Sequence, residues 1–345
     1  MSILKIAKLS GVSVATVSRY FNTPDKVSAK TAKRIGEISE KLHYKPRVRR
    51  PGPKTVERIG IHSGLIIFLF LGKVRLDTVQ VYPIMSSLLG SIQNELNRRH
   101  LSLIIEQIKE NGDIPEIVDP RYCDGVILYG MPQTEKAHAE LLKIFQTLPI
   151  IWTGMESDPT LPKIDEVLYD NDIIGTIAAD YLFEKGHKNV ALVSPVSTHP
   201  AFKGRAFHFL KQAQFRGMNC QLFETSSDDF PTYAAICKHL AKQIYAKKTS
   251  FTAIFFCADD AMLGVALEMR GLGCDISQYT FLGVNNERAY LRFFDPKPAS
   301  IDYKPDYLGR LTVDQLLRRI NGRLDEDPVT LKIHPEVNTT PLPMI

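Results

Sequence analysis

The chain has 345 residues, 44% of them apolar and 23% charged, which suffices for two or three compact units and excludes wholesale disorder. Its formal charge of +5 is uneven: residues 1–58 hold 14 Lys or Arg against 4 Asp or Glu, a net of +10, leaving 29 against 34, a net of −5, on the other 287 residues. A basic head on a mildly acidic body points to a nucleic-acid partner at one end only. The N-terminus, MSILKIAKLS, has no charged region followed by a long apolar run, and the stretch Leu65 to Leu71 is too short to span a bilayer, so a cytosolic protein with no membrane partner is expected. Five cysteines (Cys123, Cys220, Cys237, Cys257, Cys274) without CxxC spacing fit reduced core thiols better than disulfides or a metal site.

In chain order, Leu4, Ile6, Ala7 and Leu9 mark an amphipathic first helix, and Gly11 supplies a tight corner. Ser13 is placed to cap a second helix whose apolar side is Val12, Val17 and Phe21. Thr16 and Ser18 are small donors suited to phosphate oxygens, and Arg19 can reach a base edge or a phosphate. The pattern predicts a helix-turn-helix whose second helix enters a major groove. A generic helical hairpin in a basic protein is the plain alternative. GVSxxTVSR outweighs it, because turn, cap and phosphate-facing positions fall in one run at fixed spacing. After a turn with Pro24 and Asp25, Ser28 caps a third helix through Leu42, where Ala32, Ile35, Ile38 and Leu42 keep helical spacing. Lys30, Lys33 and Arg34 are either backbone contacts or ordinary solvated charges.

The run IAKLSGVSVATVSR resembles the DNA-binding head of the lactose/galactose repressor (LacI/GalR) family of bacterial transcription regulators. The resemblance implies that Val14 and Ala15 are the main specificity positions and that Arg19 contacts bases, with Val-Ala similar to the galactose-type repressors. The DNA-binding residues expected in this region are therefore Ser13, Val14, Ala15, Thr16, Ser18, Arg19 and Asn22.

Residues 45–60 form a basic Pro/Gly linker after the head at 1–44. In the family this region forms a hinge helix with a leucine wedge for the minor groove, yet Pro51, Gly52 and Pro53 oppose a helix. Arg47, Arg49 and Arg50 offer an extended arm for a narrow A·T-rich minor groove instead, against the plain reading of a solvated linker.

From about Ile59 the text alternates apolar runs with amphipathic stretches. Strands are predicted at Leu65 to Leu71, Ser102 to Glu106, Gly125 to Tyr129 and Pro149 to Thr153, with helices at Pro83 to Arg98 and Lys136 to Phe145. A second series has strands at Val190 to Ser194, Ala253 to Cys257 and Phe281 to Val284. Its helices lie near Asp172 to Lys185, Lys203 to Arg216, Tyr233 to Ala246 and Asp260 to Arg270. The fold class expected is α/β: a three-helix head, then a two-lobed body with parallel sheets. VLYDNDIIGTIAADYLFEKGHKNVALVS, GRAFHFLKQA, CADDAMLGVALEMRGLG and FLGVNNE resemble the same family again. They imply a periplasmic-binding-protein-like body over 61–345, with an N-lobe of about 61–165 and 300–325 and a C-lobe of about 166–298. Physics independently expects a ligand at the carboxyl ends of such strands.

By that resemblance Arg205 is the effector-binding arginine, with His208 where a glycine is usual, Asp259 where asparagine is frequent, and Asp260 matching the usual aspartate, which is also a plain helix cap. Asn285 stands where the family often has an aspartate that chelates sugar hydroxyls. Trp152, at a strand end, is either a sugar-stacking or a core residue, and Tyr129, Asp170, Asn171 and Tyr303 sit at comparable edges. The expected protein is a homodimeric transcription regulator and repressor on a palindromic double-stranded operator. It is switched by a small polar, carbohydrate-like effector, without cofactor, metal or catalytic residues. Hydrolase, phosphotransferase and dinucleotide signatures are missing, though a solute-binding protein or an enzyme on the same body stays open.

Overall fold

In the first 42 residues the apolar positions at helical spacing fold onto one another. The computed structural model describes residues 3–22, 27–42, 60–72, 83–226, 229–322 and 327–339. The chain divides into two compact units, Met1–Glu57 and Arg58–Ile345.

The first unit holds α1 (Ile3–Ser10), α2 (Val14–Asn22) and α3 (Ala29–Lys41). Ile6, Ala7, Val17 and Ile35 are buried, with Val12, Tyr20, Phe21, Ile38 and Leu42 packed around them. Leu9, expected in this core, is instead 53% exposed. Gly11 has φ +62°, which lets the chain turn sharply between α1 and α2, and the Val12 N–H donates to Ala7 O across that corner at 3.2 Å.

The second unit holds two sheets. The first contains β1 (Leu65–Phe70), β2 (Ser102–Gln107), β3 (Gly125–Tyr129), β4 (Ile150–Gly154), β5 (Asp165–Tyr169) and β11 (Thr330–Ile333), in the order β11-β5-β4-β3-β1-β2, all parallel. The second contains β6 (Asn189–Ser194), β7 (Asn219–Glu224), β8 (Ala253–Phe256), β9 (Thr280–Val284), β10 (Ala299–Asp302) and β12 (Glu336–Asn338), in the order β12-β10-β9-β8-β6-β7. Only β12 in it runs antiparallel. Each sheet thus has the doubly-wound order 2-1-3-4-5 with a sixth strand added. Its switch point, where ligands bind in such sheets, lies between β1 and β3 in one case and between β6 and β8 in the other.

Both faces of each sheet are covered, which is why the central strands read as unbroken apolar runs. In LIIFLF, Ile66, Phe68 and Phe70 face α4 (Pro83–Arg98) and α11 (Pro305–Ile320), while Ile67 and Leu69 face α5 (Glu135–Ile144). In the second sheet Val190 and Leu192 face α6 (Asn171–Glu184) and α7 (Pro200–Phe215), and Ala191 and Val193 face α8 (Tyr233–Ala246) and α9 (Asp259–Gly271). Asp165 joins β5 to α11. Burial pushes its carboxyl up, but a bidentate Arg319 fork (2.6 Å to each oxygen), Gln315 and the Val329 N–H hold it below the usual range.

The chain passes between the sheets after Tyr169, after Asp302 and after Ile333. The expected lobe boundary at 165/166 therefore falls at the head of β5, which belongs to the first sheet. Residues 300–302, expected in the first lobe, pair in the second. Four of the five free cysteines are buried and Cys220 is half-buried; burial pushes Cys123 up to about 11 and Cys220, Cys237 and Cys257 up to about 12. Among the described residues no helix is long and apolar enough to cross a membrane.

Candidate nucleic-acid interface and ligand cleft

At the start of α2 the Ser13 hydroxyl accepts from the Thr16 N–H at 3.1 Å and lies 2.9 Å from the Thr16 Oγ1. This is an N-cap that fixes the entry of the helix. It also occupies the side chain that the sequence offered to phosphate, so Thr16 is half-buried and tied into the cap. Ser13, Val14 and Arg19 are exposed around it. Ala15, Ser18 and Asn22 lie on the same helix, and Arg47, Arg49 and Arg50, with Pro51, Gly52 and Pro53, lie outside the described residues. Ser28 caps α3 by accepting from Thr31 N–H at 3.4 Å, and Lys30, Lys33 and Arg34 are exposed along it.

In the second unit a cavity of about 490 Å³ opens at the carboxyl edges of the two sheets, at their switch points. The first sheet contributes Phe70, Tyr129 and Tyr169 from strand ends, Met131 and Met155 from the loops behind β3 and β4, and Met85 from α4. The second contributes Asn171, His199, Phe202, Arg205, Asp260 and Asn285, and Tyr303 lies in the passage after β10.

Arg205 is on the buried side of α7, 4% exposed. Its Nε donates to Asn171 Oδ1 at 3.0 Å and its Nη1 to Cys257 O at 2.6 Å, while the guanidinium lies 5.6 Å from the Tyr303 ring centre. These bonds use two of the five guanidinium donors within the protein and aim the fork at the cavity. Gly175 makes the arrangement possible, since a Cβ there would come within 2.3 Å of Arg205 O. Gly154, at φ +89°, likewise leaves room for the Tyr129 ring, which a Cβ would approach to 2.6 Å. The Tyr169 and Tyr303 rings are 4.1 Å apart, one from each of two passages between the sheets.

Asn285 and Asn286 both have positive φ, +106° and +53°, a conformation that asparagine tolerates better than most residues. The Asn286 N–H donates to Ser300 Oγ at 2.9 Å, which turns Asn285 toward the cavity. Asn285 Oδ1, Tyr169 Oη and His199 Nδ1 are buried cavity-lining atoms with no hydrogen-bond partner among the described residues. Burial and the nearby Arg205 push His199 down to about 4, so its imidazole is neutral near pH 7. Burial pushes Asp260 up; the Ala261 N–H, at 2.7 Å, opposes this.

Three residues expected at the site lie elsewhere. Trp152 is fully buried on the opposite face of the first sheet among Leu128, Leu141 and Leu148, because strand alternation sends Ile151 and Thr153, not Trp152, to the α11 side. Asp259 turns inward: it accepts from Ser300 Oγ at 2.9 Å and from the Glu287 N–H at 2.8 Å, and burial pushes its carboxyl well above the usual range. Asp170 caps α6, accepting from Ile173 N–H at 3.3 Å, and does not line the cavity. Tyr129, Arg205, Asp260, Asn285 and Tyr303 do line it. His208 packs beside Asp172, Nε2 to Oδ1 3.3 Å, away from the cavity lining. The lining residues that sequence reasoning missed are chiefly Phe70, Met131, Met155, Tyr169, His199 and Phe202. Only their position at or just beyond strand ends or a helix start marked them.

Residues 2–47 match the model of bacterial regulatory proteins, lacI family, and residues 179–339 match that of a periplasmic binding protein-like domain. The chain thus joins a lacI-family DNA-binding head to a periplasmic-binding-protein-like body. It is similar to the HTH-type transcriptional repressor PurR of Pasteurella multocida, at 25% identity over 350 residues covering 97% of this chain and 96% of that one. PurR of Mannheimia succiniciproducens is likewise 25% identical over 346 residues, with 97% and 96% covered. Among solved structures the fold is shared with a transcriptional regulator CelR–cellobiose complex (TM-score 0.66, 17% identity, 98% of each chain). It is also shared with the Lac repressor bound to ONPG in the repressed state (TM-score 0.61, 16% identity, 98% of each chain). The family pairs a DNA-binding helix-turn-helix head with a ligand-binding body, as α1–α3 and the two-sheet unit do here. Both PurR relatives are named as transcriptional repressors.

Proposed function

We propose that this protein is a homodimeric repressor whose affinity for a palindromic operator is set by a small, uncharged, sugar-like molecule held between the two sheets. The observation that carries the reading is the shared cavity: a molecule touching Tyr129 and Tyr169 on one side and Arg205 and Asn285 on the other favours one angle between the halves over others. Arg205 anchors hydroxyls through its remaining donors, and Asn285 Oδ1 and Tyr169 Oη accept and donate the rest. The tyrosines and methionines cover the apolar face of a ring. Relatives support this class of ligand, since one solved neighbour carries cellobiose and another D-xylulofuranose. At the DNA, Val14, Ala15 and Arg19 of α2 read the half-site, with Ser13, Thr16, Ser18 and Asn22 setting its position on the backbone. Arg47, Arg49 and Arg50 serve as a minor-groove arm. Two heads are required because one helix reads too few base pairs to find a site in a genome.

The test is a random-oligonucleotide selection with the purified full-length protein, repeated with the small molecules that co-purify with it. A palindrome bound with strong salt dependence, and an affinity that changes with a recovered carbohydrate, is the expected result. No palindrome, or turnover of the recovered molecule, overturns the reading.

A further inference from the structure

Across the cavity edge, a hydrogen bond joins the two halves without help from the passages between sheets. Glu287 follows β9 on the second half, and its Oε1 accepts from the backbone N–H of Ile84, in the first turn of α4 on the first half, at 2.9 Å. The side chain is buried, 7% exposed, and its own N–H is held by Asp259 at 2.8 Å. Three acids, Asp259, Asp260 and Glu287, are therefore gathered at this edge, with the Arg205 guanidinium near Asp260 and Glu287. From α9 Glu287 faces Asp259 and Asp260, from α7 Arg205, from the passage after β10 Tyr303, and from its own turn the Asn285 amide. The first turn of α4 offers no acidic side chain among its described residues.

We propose that Glu287 is the positioning residue that couples cleft closure to proton uptake: it bridges to α4 only when the halves are closed, and the closed form carries it protonated. The proposal rests on the effector-cleft reading, whose ligand favours one angle between the halves. Asp259, Asp260 and Arg205 sit on the same half as Glu287 and keep these neighbours whether the cleft is open or closed; Glu287 alone changes its partner. Burial, and after it the nearby Asp260, push Glu287 up to about 7 against the Ile84 N–H, which favours the carboxylate; opening removes the burial, the largest of these, and lets the group fall back toward its ordinary 4.5. A carboxyl raised in the closed form favours closure at low pH and withdraws that support as pH rises. The closed-to-open ratio then falls by up to about tenfold per pH unit between about pH 5 and 7 and is flat above about 8, where both forms are ionised.

The experiment uses the full-length protein with no ligand, spin-labelled through genetically encoded side chains at Glu135 on the first half and Lys238 on the second, both exposed. Inter-label distances are read from pH 5.5 to 8.5 in the wild type and in Glu287→Gln, which keeps the acceptor oxygen and cannot ionise. The expected result is a closed population that falls with pH in the wild type and a slope lower by about one proton in Glu287→Gln. A carboxyl ¹³C titration of Glu287 in the wild type, with its midpoint near 7, is the companion readout. Equal slopes in both proteins, no slope in the wild type, or a Glu287 midpoint near 4.5 overturns the proposal. None of these readouts involves DNA or effector, so their failure leaves the regulator reading to its own selection experiment.

Discussion

The two walls of the cleft are built from the same strand order and carry opposite chemistry. The first sheet presents Phe70, Tyr129, Met131, Met155 and Tyr169; the second presents Asn171, His199, Arg205, Asp260 and Asn285, with Phe202 as its apolar exception. Neither wall alone makes a site. An apolar wall gains by excluding water from any ring pressed against it, and a polar wall loses hydration when covered, unless the ligand supplies its hydrogen bonds. A two-faced ligand satisfies both only when the halves meet on it, which is how identical scaffolds come to act as a switch.

The comparison breaks most completely at Arg205. Arg205→Ala leaves Asn171 Oδ1 and the buried Cys257 O without their donor and is expected to cost about 1–3 kcal/mol of stability per acceptor in urea unfolding, the range for an acceptor left unsatisfied. Arg205→Lys keeps the charge but not the fork. It is expected to fold with a smaller loss and to bind the recovered effector at least tenfold more weakly by calorimetry. Operator binding without effector persists in the lysine variant if the polar wall serves the ligand alone.

The polar wall also has a pH signature that the apolar wall lacks. His199 is held neutral, at about 4 against an ordinary 6.5, chiefly by burial. A depressed histidine leaves stability intact above pH 6.5 and withdraws it as pH falls toward 4, by up to about 3 kcal/mol. His199→Gln is expected to remove that share of the acid loss in unfolding curves taken at pH 4.5 and 7. An unchanged difference between the two pH values would place the imidazole in water.

Much of the scaffold was legible in the sequence, and the uneven legibility follows the same division. LIIFLF, GVILY and AIFF are central parallel strands covered on both faces, so they read as unbroken apolar runs. DEVLY, ASID, TLKI and EVN, which build the passages and the outer edges, carry polar residues that break the apolar run, so they do not stand out. The helix PDYLGRLTVDQLLRRI was not predicted although it closes one face of the first sheet. The polar wall was reached through the family resemblance, because Arg205, Asp260 and Asn285 fall at positions that the matching motifs mark. Of the apolar wall only Tyr129 was, since Phe70 or Met131 at or just past a strand end looks like core until the topology shows where the strand stops. On α4, Met85, Leu88, Ile92 and Leu96 are buried within their own unit.

Tyr169 tests the boundary between the walls, being an aromatic ring with one unpartnered hydroxyl. Tyr169→Phe keeps the stacking on Tyr303 and deletes one hydrogen bond to the ligand. A loss of about 0.5–1.5 kcal/mol in effector binding is expected, roughly three- to tenfold, with stability unchanged or slightly raised. A loss of a hundredfold would mean that the hydroxyl, not the ring, is what the first sheet contributes.

The smallest effect is expected at Trp152, and it sharpens the comparison by being small. The indole is the largest fully buried side chain of the first sheet, yet it points to the α5 face, away from the cavity, and its Nε1 has no partner there. Trp152→Phe removes that orphaned donor and some packed volume together. The two changes oppose each other in stability, one relieving an unsatisfied polar atom and the other opening a cavity, and a net cost under about 1.5 kcal/mol is expected. Effector affinity should stay within twofold. A larger change in affinity at matched stability would show that the strand parity assigned to β4 does not separate the ligand wall from the core, and the apolar wall would then have to be redrawn around Trp152.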